Sequence, residues 1–84
     1  MWTLKTQAEI AKEVADLCRA LRLQQNLTQE EMANRAGISL STYRRFEREG
    51  SLSLERFISV LHCLGRIAEL EGIPVPVRVT GELD

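Results

Sequence analysis

Apolar residues recur along most of this chain at the three- and four-residue spacing of amphipathic helices. In its first third, this spacing predicts a helix over residues 6–25, which Asn26 would end. One face of that helix would carry Ile10, Val14, Leu17 and Leu21. The pattern therefore favours a helical body over a sheet.

The helical spacing returns in the second half of the chain. Ser53 can begin a helix there, because its hydroxyl can accept a hydrogen bond from a first-turn N–H, and Gly65 can end it. A short fifth helix is expected over residues 66–71, with a stop at Gly72. The apolar face of the longer helix would consist of Leu54, Phe57, Ile58, Leu61 and Leu64.

Between these regions, residues 27–48 have the sequence LTQEEMANRAGISLSTYRRFER. Thr28 and Glu31 stand three apart, as in a capping box, so a helix should begin near residue 29. Gly37 would end that helix in a left-handed conformation, and Ser39 would cap the next one. The segment predicts two helices joined by a short, defined turn.

The second helix of this segment is predicted to rest on the core through Tyr43 and Phe46, which are three residues apart. Ala33 is small enough to let the two helices cross closely. A generic small helical protein, whose arginines only solvate the surface, is the alternative, but the joint spacing favours a helix-turn-helix. The positions expected to face outward are Leu40, Ser41, Arg44, Arg45 and Arg48.

The last part of the chain departs from the helical pattern. Residues 73–80, IPVPVRVT, have a β-branched residue at every odd position, which predicts a strand. Pro74 and Pro76 lie two apart, so their missing donors fall on one strand edge and the other edge can pair with a second subunit. A polyproline-like tail, packed on its own domain or disordered, is the alternative. The predicted dimerisation residues are Ile73, Val75, Val77 and Val79.

Composition indicates one domain, because 84 residues with 44% apolar content can bury one modest core. Cys18 and Cys63 lack a CxxC spacing, which favours reduced thiols over a disulfide or a zinc site. Neither a membrane span nor a signal peptide is indicated, so a cytoplasmic location is expected.

The charge distribution is uneven. The net charge is −1, yet residues 19–48 contain six basic and three acidic residues, a local charge of +3, while the rest of the chain carries −4. This concentration of positive charge suits nucleic-acid phosphates, although an acidic protein could meet the same surface.

An enzymatic function is not expected from the residues available. His62, the single histidine, is next to Cys63 on a predicted helix, and adjacent helical side chains point in different directions. The sequence contains no phosphate loop, dinucleotide-binding glycines or metal-ligand spacing. No cofactor or metal is therefore expected.

Over residues 17–70 the chain resembles the Cro and phage-repressor family of DNA-binding domains, the XRE type. Gln29, Ala33, Gly37 and Tyr43 occupy the positions at which the family has its first helix-2 residue, small residue, turn glycine and core residue. The resemblance implies a five-helix, all-α domain with a helix-turn-helix.

This resemblance implies a sequence-specific regulator of transcription that binds double-stranded DNA, as a dimeric repressor on a palindromic operator. The DNA-binding domain would comprise residues 1–72, with the helix-turn-helix at 28–48 and the recognition helix at 39–48. Residues 73–84 would form a C-terminal strand or tail for dimerisation.

The family pattern also implies roles for individual residues. Arg22 and Glu47 would form a structural ion pair between the first and third helices. An arginine can bond guanine O6 and N7 together. Leu40 replaces a usually polar residue; it could touch a thymine methyl group, or it could indicate that base readout has been weakened. Base contacts would come from Leu40, Ser41, Arg44 and Arg45, and phosphate contacts from Gln29, Ser39, Thr42 and Arg48.

A helical DNA-binding body with an exchanged C-terminal strand is also similar to the antitoxins of HipA-type kinase toxins, many of which regulate their own operons. A HipA-type toxin is then a second expected partner. The alternative function is a protein-interaction module, an adaptor or toxin-neutralising antitoxin with little DNA affinity.

Overall fold

The computed structural model describes residues 2–72, and over this range the protein is all-α, as the sequence predicts. The expected strand and the dimerisation residues Ile73, Val75, Val77 and Val79 lie outside the described residues. Short 3-10 helices precede and follow the α-helices, at Trp2–Leu4 and Ile67–Gly72. The α-helices are α1 (Gln7–Gln24), α2 (Gln29–Ala36), α3 (Leu40–Glu49) and α4 (Leu54–Leu64).

The two outer 3-10 helices modify the predicted five-helix pattern. The expected fifth helix is present at Ile67–Gly72, but it is a 3-10 helix, the form that short helical segments commonly adopt. The N-terminal 3-10 helix was not predicted from the apolar spacing. The indole Nε1 of Trp2 there donates to Glu13 of α1 at 2.7 Å, which attaches the N-terminus to the first helix.

Side-chain caps determine where the α-helices begin. The predicted capping box of α2 is present: the Thr28 hydroxyl accepts from Glu31 N at 3.0 Å, and the Glu31 carboxylate accepts from Thr28 N at 2.8 Å. Thr6 and Glu9 form a second capping box at the start of α1. Ser39 and Ser53 cap α3 and α4 as predicted. These starts follow from local sequence.

The turn after α2 depends on Gly37, which has a φ of 72°. Ile38 N donates to Ala33 O at 3.0 Å and Gly37 N donates to Asn34 O at 3.2 Å, which satisfies the last carbonyls of the helix. Ser39 follows at once as the next cap. This arrangement sets the direction in which α3 leaves α2.

Gly50 brings the end of α3 against α1. Its φ is 80°, and a Cβ atom built there would lie 2.7 Å from the carbonyl carbon of Ala11 and 2.8 Å from the backbone nitrogen of Lys12. The Lys12 ammonium also donates to the carbonyl oxygen of Glu47 at 3.1 Å, near the end of α3. The two helices are therefore in backbone contact at this point.

The core lies among the four α-helices, and its largest fully buried side chains include Tyr43, Phe46 and Met32. The Phe46 ring packs at a tilt against Tyr43, with ring centroids 5.9 Å apart, and against Phe57 at 6.2 Å. The buried apolar residues are Ala15, Cys18, Leu27, Met32, Ala33, Tyr43, Phe46, Val60, Leu61 and Leu64.

The predicted apolar face of α1 is wrong at Leu17, which is 59% exposed. The helix instead buries Ala15, Cys18 and Arg22, with Val14 and Leu21 packed at the side of this face. Small residues at the centre of the face let α3 approach closely, and this approach leaves Leu17 on the flank. On α4, Leu54 and Ile58 are likewise exposed rather than buried.

Candidate nucleic-acid interface

Helix α3 has one buried face and one basic face. Tyr43, Phe46 and Glu47 are buried on one side of α3. The residues on the opposite side of the helix therefore face outward. The side chains around that face line an open depression of about 380 Å³, formed by Ser41, Thr42, Arg44, Arg45 and Arg48. The structure therefore brings five of the predicted site residues together.

Leu40 is predicted to face outward, but in the structure it is half-buried. It is the first residue of α3 and packs against the core. Side chains on a helix lean toward its N-terminus, so the Leu40 side chain turns back over the preceding loop, where Ile38 also packs on the core. The apolar residue at this position serves packing, and a thymine contact by Leu40 stays an untested prediction.

Ser39 and Thr42 lie together at the start of α3. The Ser39 hydroxyl accepts from Thr42 N at 3.1 Å and donates to Thr42 Oγ1 at 2.7 Å. The Ser39 hydroxyl hydrogen thus takes part in a hydrogen bond within the protein, whereas the hydroxyl hydrogen of Thr42 can point toward a ligand. Of the two predicted phosphate contacts, Thr42 has the better available side-chain donor.

Glu47 is the centre of a buried hydrogen-bond network. The Arg22 guanidinium donates to both carboxylate oxygens, from Nε at 2.7 Å and from Nη2 at 3.1 Å. The Tyr43 hydroxyl donates to Oε2, and the Gln29 amide nitrogen donates to Oε1 at 3.0 Å. The structure thus brings Arg22 and Glu47 together, and it adds Tyr43 and Gln29 to the pair.

The network keeps Glu47 ionised. Burial by itself would raise the pKa of Glu47, but the hydrogen bonds from Arg22, Tyr43 and Gln29 outweigh it and hold that pKa below its usual value. The hydrogen bond to Glu47 raises the pKa of Arg22. Burial and the same carboxylate raise the pKa of Tyr43, which keeps its hydroxyl protonated as a donor. The network consists of one anion, one cation and neutral donors.

Gln29 connects the buried network to the exposed basic face. It is half-buried, and while its amide nitrogen donates to Glu47, its Oε1 accepts from Arg44 Nε at 3.4 Å. The predicted phosphate contact by Gln29 is untested. One amide hydrogen remains available for it, because the other is held by Glu47.

The remaining arginines of α3 contact residues outside the buried network. Arg45 Nη2 lies 3.5 Å from Ser51 Oγ, at the limit of a hydrogen bond. Arg48 pairs with Glu49 at 3.0 Å on the surface, where such pairs contribute little. Both side chains are exposed, so their guanidinium groups can exchange these contacts for phosphate or base atoms.

Arg19 is a nearby cation to which sequence analysis assigned no role. It lies on α1, its side chain is 59% exposed, and its Nε is 4.0 Å from Glu47 Oε1. Arg19 stands three residues before Arg22, a spacing that brings two helical side chains to the same face, and this spacing is the sequence signal that places it beside the network.

Among residues 2–72, no group of three potential ligand side chains is close enough to hold a metal ion. Within the same range, no helix has the length and apolar content needed to cross a membrane. Cys18 is a buried free thiol and Cys63 a half-buried one. These side chains add nothing to the basic face of α3.

Comparison with protein families agrees with the geometry. A family model described as helix-turn-helix matches residues 19–70, which span the last third of α1, all of α2 to α4 and most of the last 3-10 helix. No curated protein matches the chain. The basic outer face of α3, its capped start after the Gly37 turn and this match lead to one assignment. The chain belongs to the XRE-type helix-turn-helix family and is a DNA-binding regulator of that type.

Proposed function

We propose that this protein is a sequence-specific repressor that binds a palindromic operator as a dimer. The observation that carries this proposal is the basic outer face of α3, with Arg44 and Arg45 exposed while the inner face is held by Tyr43, Phe46 and Glu47. An α-helix fits the major groove of B-DNA, which is about 12 Å wide, so the exposed face would meet base edges.

In this proposal, Arg44 and Arg45 recognise guanine through their paired terminal nitrogens, and Ser41 contacts an adjacent base. Thr42, Arg48 and the first backbone N–H groups of α3 bind phosphates and set the register on the duplex. Arg19 supplies a further phosphate contact from α1, because its exposed guanidinium lies beside the same network. Binding to operator DNA agrees with the expected cytoplasmic location.

Dimerisation follows from the number of bases that one helix can contact. A single recognition helix covers a few base pairs, so two-fold dimers on half-sites about 34 Å apart are the usual arrangement. We propose that the strand predicted over residues 73–80 pairs with its copy. Light scattering of the Val77→Asp variant should then show a monomer, whereas a dimer of unchanged mass would contradict a role for this segment.

The repressor proposal is tested by a mobility-shift titration on the DNA upstream of the protein's own gene, with random-sequence duplex as competitor. Measurement at two salt concentrations separates the phosphate contribution, which weakens with salt, from base recognition. Specific retardation that resists competitor is expected. Failure to bind any duplex at low salt would contradict the proposal.

A second candidate function is a protein-interaction module, such as the antitoxin of a HipA-type kinase toxin. It is favoured by an apolar groove of about 260 Å³ lined by Ala11, Val14, Phe46, Gly50, Leu52, Leu54 and Phe57. Phe46 contributes to this groove from the buried face of α3, whereas Arg44 lies on the exposed face. Co-purification with a kinase encoded in the same operon, without DNA binding, would support this function instead.

A further inference from the structure

We propose that Gln29 is a positioning residue for Arg44, and that Arg44 is thereby the main base-recognition residue of this protein. The proposal rests on the proposed DNA-binding function. It is carried by a continuous set of contacts that runs from the buried Arg22–Glu47 pair, through the Gln29 amide, to the exposed Arg44 guanidinium.

The first step concerns the orientation of the Gln29 amide. A carboxylate can only accept hydrogen bonds, so the amide nitrogen, and not the amide oxygen, must face Glu47. The observed contact from Nε2 to Glu47 Oε1 is 3.0 Å. Because Glu47 is itself held by Arg22 and Tyr43, the Gln29 side chain is anchored at its nitrogen end.

The second step concerns what the other end of the amide can do. With its nitrogen toward Glu47, Gln29 presents Oε1 to Arg44, whose Nε lies 3.4 Å away. A contact at Nε leaves both terminal nitrogens of the guanidinium free. These are the two groups that bond guanine O6 and N7 together, so Arg44 is held without losing its base-binding atoms.

The third step compares Arg44 with its neighbours on α3. Arg45 contacts Ser51 at the 3.5 Å limit through a terminal nitrogen, and Arg48 pairs with the exposed Glu49. Neither is connected to the buried network as Arg44 is. Ordering a long side chain opposes binding, so an arginine that is already oriented has the advantage in recognition.

The consequence for Gln29 differs from the phosphate contact that the family resemblance implies. A phosphate contact would strengthen binding to every DNA sequence alike, since phosphates carry no sequence information. A positioning role would strengthen binding only through Arg44. Removing Gln29 should then weaken the preference at the base pair that Arg44 contacts.

A double-mutant cycle separates these roles. The unmodified 84-residue chain and the Gln29→Ala, Arg44→Ala and double variants would be titrated against the shortest upstream duplex that is bound. They would also be titrated against that duplex with each base pair changed in turn. Gln29→Ala should weaken binding by between about twofold and tenfold and relax the same base pair as Arg44→Ala. In the Arg44→Ala background it should have almost no further effect.

Glu30→Ala serves as the matched control, because Glu30 is the exposed neighbour of Gln29 on α2 and should not change base preference. Thermal unfolding of each variant would verify that it is folded; Ala at the first helical position after the Thr28 cap favours the helix. Equal losses from Gln29→Ala with and without Arg44, together with unchanged base preference, would overturn the proposal and make Gln29 a phosphate contact.

A measurement without DNA distinguishes failure of this proposal from failure of the proposed function. In the free protein, ¹⁵N relaxation of the Arg44 Nε–H should show restricted motion that Gln29→Ala releases, while the Arg45 Nε–H should not change. An Arg44 side chain as mobile as Arg45 in the unmodified protein would overturn the proposal even if the protein binds its operator.

Discussion

The Arg22 guanidinium of α1 and the Glu47 carboxylate of α3 form a buried, two-point ion pair across 25 residues of sequence, with contacts of 2.7 and 3.1 Å. Both side chains are less than 10% exposed. A third contact, from Arg22 Nη1 to Leu27 O at 2.7 Å, holds the loop before α2 to the same group. The pair therefore joins α1, the start of the helix-turn-helix and α3.

Removal of Glu47 should be strongly destabilising, because it leaves the Arg22 cation buried without its partner. For Glu47→Ala we expect a loss of about 3–5 kcal/mol in the free energy of unfolding, measured by urea denaturation. Glu49→Ala is the control, since it breaks only the exposed pair with Arg48 and should change the stability by less than about 0.5 kcal/mol. Similar losses in the two variants would contradict a structural role for the buried pair.

Stability should fall in acid, and Glu47 should account for part of the fall. Because the pKa of Glu47 is lower in the folded protein than in the unfolded chain, its contribution is present above the ordinary glutamate value of about 4.3 and is lost as the pH falls below it. Free energies of unfolding between pH 7 and pH 3 should decline less steeply for Glu47→Gln.

The capping carboxylate of Glu31 also makes the free energy of unfolding depend on pH, in addition to Glu47. The backbone and side-chain hydrogen bonds with Thr28 lower the pKa of Glu31, so it contributes in the same direction. Some acid sensitivity should therefore remain in Glu47→Gln. A profile identical to that of the unmodified protein would show that protonation of Glu47 is not coupled to unfolding.

Two glycines with similar backbone angles should respond differently to alanine. Gly37 has open space around its Cβ position, so Gly37→Ala should cost only the left-handed strain of about 1–2 kcal/mol. Gly50→Ala carries the same strain and also pushes a Cβ into the backbone at Ala11, which adds about 1–3 kcal/mol. Denaturation of the two variants side by side tests this, and an equal loss would mean that α1 and α3 are not in backbone contact.

The two thiols should differ in reactivity. Burial, followed by the nearby Glu47 charge, raises the pKa of Cys18 to about 11, so it should not react with an aromatic disulfide reagent at pH 8 while the protein is folded. Cys63 is half-buried and should react without unfolding. In the Cys63→Ser variant, the reagent should release its coloured thiolate only after denaturant is added. Rapid release from the folded protein would contradict the burial of Cys18.

For DNA recognition, Arg45→Ala should reduce affinity for the cognate site by about 1–3 kcal/mol and relax preference at one base pair. Arg56→Ala, which removes an exposed arginine from α4, is the control and should leave base preference unchanged. Titrations against the operator and its single-base variants measure both effects. A uniform loss across unrelated sequences would instead make Arg45 a phosphate contact.

The local features of the fold could be predicted from the sequence because each depends on residues three or four apart. The Thr28–Glu31 capping box, the Gly37 turn and the serine caps of α3 and α4 are all of this kind, and all are present. The exposed Arg44 and Arg45 follow in the same way, since burying Tyr43 and Phe46 leaves them on the opposite face.

Tertiary structure decided the features that depend on how helices cross. The spacing of apolar residues placed Leu17 in the core and Leu40 outside it, yet the close approach of α1 to α3 exposes Leu17, and the start of α3 packs Leu40 inward. The arrangement of Glu47, Gln29 and Arg44 is of the same kind. Sequence determined the caps, the turn and the basic face through short-range hydrogen bonds and periodicity; the linkage of that face to a buried ion pair required contacts between residues distant in the chain.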